Sequence, residues 1–79
     1  MQVKVPSRFY KDHMDRSNEY QSLFNAVIKE VGNHVVADLD ESQISELLSD
    51  AEYYADGVDY PELRGLQRSA KATVKALSK

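Results

Sequence analysis

The chain has 79 residues, of which 42% are hydrophobic and 29% charged, a composition typical of one small globular domain and too apolar for a disordered chain. It contains no cysteine, which excludes disulfide frameworks and thiolate metal sites, and it has neither an apolar membrane span nor the apolar core of a secretion signal. We therefore expect a single cytoplasmic domain over residues 1–79, with a core small enough for self-association to add to its stability.

The first predicted elements are a strand and a helix. Residues 2–5 alternate between polar and apolar side chains and are followed by Pro6. Because proline cannot donate a hydrogen bond to a ladder, this pattern indicates a short edge strand. Apolar residues then recur at helical spacing, and we predict a helix over 7–16 with Ser7 as its N-cap.

Residues 19–31 are compatible with two structures. In the first, apolar side chains recur at i, i+3, i+4 and i+7 from Tyr20 to Val31. This spacing predicts an amphipathic helix, and Gly32 stands where a helix of this kind commonly ends.

The second structure for the same segment is a β-hairpin. Gly32-Asn33 is a two-residue loop of the kind that joins tight hairpins, and strand-like sequence stands on both sides of it. Residues 34–39 are a strand in either structure, so only 19–31 are undecided. In the hairpin register, the facing residues are Val31 with His34 and Ile28 with Ala37.

A helix over about 41–55 follows. Asp40 and Gln43 have the spacing of a capping box, which marks the start of this helix, and Asp56-Gly57 ends it. The predicted apolar stripe consists of Ile44, Leu47, Leu48, Ala51 and Ala55.

Pro61, at a first helical position, begins the last helix. Gly65 lies inside this helix at a cost of about 1 kcal/mol relative to alanine, which suggests close approach of another backbone. We expect the last two helices to pack together as an antiparallel pair. The predicted fold class is α+β, a short strand or β-hairpin plus this helix pair. The stripe of the last helix consists of Leu63, Leu66, Ala70, Val74 and Leu77.

No pattern in the sequence predicts catalysis, a metal or a cofactor. His13, near Asp12 and Asp15, is the best candidate for a general base or a ligand. One histidine with adjacent carboxylates, however, falls short of the three or four ligands of a zinc site. We therefore predict a hydrogen-bonded surface histidine in a protein that is not an enzyme. An enzymatic site would have to be completed around His13 across subunits.

The segment 38–59 holds eight acidic residues and no basic one. Tyr53 and Tyr54 within it cannot both face the core, so at least one should be exposed. Tyrosine is enriched at protein interfaces because it buries a large rigid ring while keeping a polar tip. We predict that a protein partner binds at Tyr53, Tyr60, Glu52 and Asp56.

The last helix carries the opposite charge. Four basic residues recur at i, i+4, i+7 and i+11 and so share one helical face, which is the arrangement that tracks a phosphate backbone. The net charge of −3 and the acidic helix before it, which could neutralise this face within the fold or a dimer, argue against such binding. Nucleic-acid binding is therefore the alternative function, through Arg64, Arg68, Lys71 and Lys75.

Three stretches stand out together: SRFYKDHMDR (7–16), LLSDAEYYAD (47–56) and RSAKATVKAL (68–77). In this order and spacing they resemble a family of small proteins encoded by bacteriophages. The resemblance implies strand-like sequence between the first two stretches, which favours the hairpin for 19–31, although the helical periodicity of SLFNAVIKEV departs from it. It implies no particular activity, cofactor or partner. The predicted function is that of a non-catalytic phage accessory protein that binds a host or phage protein.

Overall fold

The computed structural model describes residues 1–56 and 64–78. The described residues form an antiparallel sheet of three strands and four helices, which makes the fold α+β as predicted. In chain order the elements are β1 (Gln2–Pro6), α1 (Ser7–Arg16), α2 (Tyr20–Asn25), β2 (Val27–Val31), β3 (His34–Asp38), α3 (Glu41–Ala55) and α4 (Arg64–Leu77).

β3 is the central strand of the sheet, in the order β1-β3-β2. β1 is an edge strand, as predicted, and α1 follows it directly. The prediction that Ser7 is the N-cap of α1 is wrong, because Pro6 holds that position and no side chain caps the helix. Instead, the backbone N and Oγ of Ser7 both donate to the carbonyl oxygen of Asn33, at 2.9 and 3.1 Å. Ser7 therefore ties the start of α1 to the hairpin loop.

Residues 19–31 combine the two predicted structures. The segment is helical as α2 and then, after Ala26, extends into β2. The chain is therefore helical only up to Asn25, and from Val27 it pairs with β3. From Val27 onward, hydrogen bonds to β3 replace those of a helix.

The register of the hairpin agrees with the prediction near the loop and departs from it further away. Val31 pairs with His34, as predicted, but the prediction that Ile28 pairs with Ala37 is wrong. A β-bulge between Val27 and Lys29 puts Val27 opposite Ala37. As a result Val27 packs against the core, while Ile28 is 51% exposed.

The core lies between the sheet and the helices. α3 and α4 pack along each other, and α1 contacts both of them and the sheet. Near the end of α3, the carbonyl oxygen of Ala55 accepts a hydrogen bond from Gln67 of α4, while Ile44 near its start shares a surface groove with Ala76 and Leu77. The two helices are therefore antiparallel. Buried hydrophobic residues are Val5, Phe9, Tyr10, Met14, Leu23, Val35, Ala37, Leu39, Leu47, Ala51, Leu66 and Ala70.

The capping box predicted for α3 is present. Asp40 accepts a hydrogen bond from the backbone N–H of Gln43, and the side chain of Gln43 accepts one from the backbone N–H of Asp40. The predicted start of the last helix at Pro61 lies outside the described residues, as does Gly57.

Two glycines differ in whether their backbone conformation requires glycine. Gly32, in the hairpin loop, has a φ of +59°, whereas Gly65 faces the guanidinium of Arg8, whose Cζ would lie 2.7 Å from an added Cβ. The group that approaches Gly65 is thus a side chain and not the backbone that the sequence suggested. We expect Gly65→Ala to raise the free energy of unfolding by about 0.5–1 kcal/mol, because alanine favours the helix and the tip of Arg8 moves aside easily.

Gly32→Ala should instead lower the free energy of unfolding by about 1–2 kcal/mol, since a positive φ is unfavourable for alanine. Urea denaturation followed by circular dichroism measures both variants. A Gly65→Ala protein less stable than the wild type would show that Arg8 is fixed in place.

Candidate functional site

A groove of about 630 Å³ opens on the surface between α1 and α3, and we refer to it as the α1–α3 groove. The C-terminal half of α1 forms one wall, and the outward side of α3 forms the other. Its lining is polar, with serine hydroxyls, two carboxylates, a guanidinium and a phenol. The lining residues are His13, Arg16, Ser17, Ser42, Ser45, Glu46, Ser49, Asp50 and Tyr53.

Three of these residues connect the two walls. His13 Nδ1 lies 2.8 Å from Asp50 Oδ2, and Arg16 forms an ion pair with the same carboxylate. Arg16 also pairs with Asp12, one turn earlier on α1. A carboxylate of α3 is thus held by two side chains of α1 that stand three residues apart and share one helical face. We call His13, Arg16 and Asp50 the α1–α3 clasp.

His13 is hydrogen-bonded, as predicted, but the prediction that it lies on the surface is wrong, because only 4% of it is exposed. Its ring stacks on that of Phe9, one turn earlier, with centroids 6.4 Å apart. Among the described residues, no group forms a hydrogen bond with Nε2, which is buried. A general base must reach the proton that it abstracts, and Nε2 is shielded from any molecule in the groove. The geometry makes His13 a link between helices.

The aromatic residues around Arg16 divide into an inner and an outer set. The Arg16 guanidinium lies over the ring of Tyr54, with Cζ 4.6 Å from the centroid, and Tyr54 packs edge-on against Phe9 at 6.2 Å. Tyr53 meets Tyr54 edge-on at 5.3 Å and is 72% exposed. The prediction that one of the two adjacent tyrosines is exposed is therefore confirmed. Tyr53 stands at the rim of the α1–α3 groove.

The other predicted partner-binding residues are placed differently. Glu52 on α3 and Asp56 at its C-cap are exposed but do not line the α1–α3 groove. Tyr60 lies outside the described residues. The sequence did not predict that Arg16, Asp50 and the serines belong to this site. Glu46 and Asp50 nevertheless stand at the helical spacing from Tyr53 that places all three on one side of α3.

Charge is separated between α3 and α4. α3 has three exposed acidic residues and its C-cap a fourth, and α4 has four exposed basic residues at the positions that the sequence predicted. Within residues 1–56 and 64–78, no acidic side chain of α3 or its C-cap lies within ion-pairing distance of a basic side chain of α4. The described acids of α3 and its C-cap therefore do not neutralise the basic face by direct pairing. The exposed acidic residues are Glu41, Glu46 and Glu52 on α3 and Asp56 at its C-cap, and the basic residues are Arg64, Arg68, Lys71 and Lys75 on α4.

Comparison with known proteins does not assign the chain to a family. No family model matches it, and neither a curated protein nor a solved structure shows significant similarity to it. None of the helices in the described part of the chain is long and apolar enough to cross a membrane. Residues 1–56 and 64–78 also contain no group of three or more side chains arranged to hold a metal ion.

Proposed function

We propose that the chain is a non-catalytic accessory protein of a bacteriophage, and that it acts in the cytoplasm of the host cell by binding a host or phage protein at the α1–α3 groove. The observation that carries the proposal is the 72% exposure of Tyr53 at the rim of that groove. An exposed aromatic ring beside a concave polar surface is a typical anchor of a protein interface, because a rigid ring loses little conformational entropy on binding.

Contacts within the chain hold the walls of the α1–α3 groove in place without a partner. The α1–α3 clasp fixes its two walls relative to each other, and Tyr54, held between Arg16 and Phe9, supports Tyr53 from below. A surface that is already ordered needs little rearrangement on binding, which favours affinity. The groove is therefore suited to a side chain or a short segment of a folded partner.

The charge of α3 indicates the chemistry of that partner. Glu46 lines the groove, Glu41 and Glu52 are exposed elsewhere on the same helix, and Asp56 is exposed at its C-cap, while the helix has no basic residue. Opposite potentials steer association and exclude partners of like charge. We expect the partner to present arginine or lysine beside an apolar contact for the ring of Tyr53.

Two stretches that resemble the phage family supply both walls of the groove. SRFYKDHMDR is the whole of α1 and contributes His13 and Arg16, while LLSDAEYYAD covers the second half of α3 and contributes Asp50 and Tyr53. The proposed phage setting therefore rests on the same two stretches that form the groove. The burial of His13 Nε2 supports a role without catalysis.

Replacing Tyr53 by alanine tests the proposal. We expect affinity for the captured partner to fall roughly 10- to 30-fold, as for removal of a central aromatic anchor, with no change in fold because the side chain is exposed. The measurement uses immobilised protein to capture partners from bacterial lysate, followed by titration of the purified partner.

Tyr20→Ala is the matched control, because Tyr20 is also an exposed tyrosine but lies on α2, away from the groove. Equal retention of the partner by the Tyr53→Ala and wild-type proteins would contradict the proposal. Loss in both tyrosine variants would mean that the α1–α3 groove is not the surface that binds.

A further inference from the structure

A second groove, of about 410 Å³, lies on another part of the surface, where the start of α1 and the hairpin loop meet α4. We refer to it as the α1–α4 groove. Among the described residues that line it, two are arginines, one is a histidine, and none is acidic. The lining residues are Pro6, Ser7, Arg8, Asn33, His34, Arg68, Ser69 and Ala72.

The two arginines come from different helices. Arg8, on the first turn of α1, lies across α4 at Gly65, where the missing side chain leaves room for its guanidinium. Arg68 stands one turn further along α4. Within the described residues neither arginine forms an ion pair, although Arg16 and Lys11 on α1 both do. Among the described residues, no acidic side chain therefore competes with a ligand for either guanidinium.

The two arginines of the groove favour a ligand that accepts hydrogen bonds. Each arginine offers only donors, and the Asn33 side chain offers two donors and one acceptor. The Ser7 and Ser69 hydroxyls donate to the carbonyl oxygens of Asn33 and Gly65 and so add no donor for a ligand. A phosphate accepts hydrogen bonds and carries the opposite charge, and arginine recognises it with two parallel bonds.

Basic side chains continue beyond the groove along α4. Arg64, Lys71 and Lys75 are exposed on the same face as Arg68. From Arg64 to Lys75 the row spans roughly 16 Å at about 1.5 Å per residue. A single phosphate would need only the two arginines, whereas a row of this length matches several phosphates of a polymer, which in each strand of a duplex recur about every 3.4 Å along the helix axis.

We propose that the α1–α4 groove and the basic face of α4 together bind the phosphate backbone of a nucleic acid. Arg8 and Arg68 hold one phosphate in the groove, and Arg64, Lys71 and Lys75 contact its neighbours along the strand. These contacts are to the backbone, so binding is independent of base sequence and depends strongly on salt. The site is separate from the α1–α3 groove and does not depend on the function proposed for it.

The test is a titration of fluorescently labelled single-stranded and duplex DNA of about 20 nucleotides, followed by anisotropy between about 50 and 200 mM salt. Four contacted phosphates predict a slope of log K against log salt of about −3.6 for duplex and about −2.8 for a single strand. We expect Arg8→Gln/Arg68→Gln, which removes the contacts to one phosphate, to weaken binding at least about tenfold at the lowest salt and to make the slope shallower by about 1.

Lys29→Gln is the control, because Lys29 is an exposed lysine on β2, away from both the α1–α4 groove and α4. Tyr53→Ala should bind DNA as the wild type does, which separates this proposal from the function assigned to the α1–α3 groove. Absence of saturable binding at about 50 mM salt would overturn the proposal. An equal loss per removed positive charge in the Lys29→Gln and double-arginine variants would also overturn it, because binding would then follow net charge alone.

Discussion

Replacement of His13 by alanine is expected to lower the free energy of unfolding by about 3 kcal/mol. His13 is almost fully buried, stacks on Phe9 and hydrogen-bonds to Asp50. Alanine leaves a cavity beside Phe9 and removes one of the two groups that hold the Asp50 carboxylate. Urea denaturation gives the change in stability, and His34→Ala, at a half-buried strand position, is the control with an expected loss of about 1 kcal/mol or less.

A double-mutant cycle separates the hydrogen bond from the packing of the ring. His13→Ala, Asp50→Ala and the double variant should show a coupling energy of about 1–2 kcal/mol, since the two side chains are in direct contact. The groove should also lose its shape, so His13→Ala should weaken partner binding although His13 itself is buried. Independent effects of the two substitutions would contradict the α1–α3 clasp.

We expect the free energy of unfolding to fall at alkaline pH because of the buried Tyr10. Its hydroxyl donates a 2.7 Å hydrogen bond to the carbonyl oxygen of Leu23, and burial raises the pKa of Tyr10 from 10.0 to about 12. Between these two values the unfolded chain releases the phenolic proton and the folded chain keeps it. The free energy of unfolding therefore falls as pH rises through this range, by roughly 2–3 kcal/mol from this residue, and the contribution is fully present below pH 10.

Tyr10→Phe isolates the contribution of the hydroxyl from that of other groups that titrate at high pH. At about pH 8 the variant should be less stable by roughly 1–2 kcal/mol, because the Leu23 carbonyl loses its buried partner. This difference should shrink from pH 10 to pH 12 and then vanish or reverse. Denaturation curves at matched pH measure it. A difference that stays constant up to pH 12 would show that Tyr10 ionises in the folded chain as it does in the unfolded one.

The second half of the fold follows from local sequence signals. The capping box at Asp40 and Gln43 and the apolar stripe of α3 act within a few residues, so the start and end of α3 were predictable. The structure of residues 19–31 was not predictable from local signals, because two local patterns overlap in this segment. Helical periodicity governs α2, and pairing with β3 governs β2. The bulge at Ile28 depends on how the sheet meets the core, which no local pattern encodes.

The candidate site was predictable only in part, for the same reason. Exposure of Tyr53 follows from the presence of two adjacent tyrosines on one helix, whose side chains must diverge. The α1–α3 clasp joins His13 to Asp50, which are 37 residues apart in the chain, and Arg8 reaches Gly65 only once α1 and α4 are packed. Contacts of this kind arise from tertiary structure. The charge pattern of α4, by contrast, was visible in the sequence, since it lies within one helix.

The most direct test of the proposed function is affinity capture from bacterial lysate with and without nuclease, using the wild type, Tyr53→Ala and Arg68→Ala/Lys71→Ala. We expect a protein partner that resists nuclease, is retained by the arginine–lysine variant and is lost from Tyr53→Ala. A partner that disappears on nuclease treatment, or that Tyr53→Ala retains in full, would contradict protein binding at the α1–α3 groove.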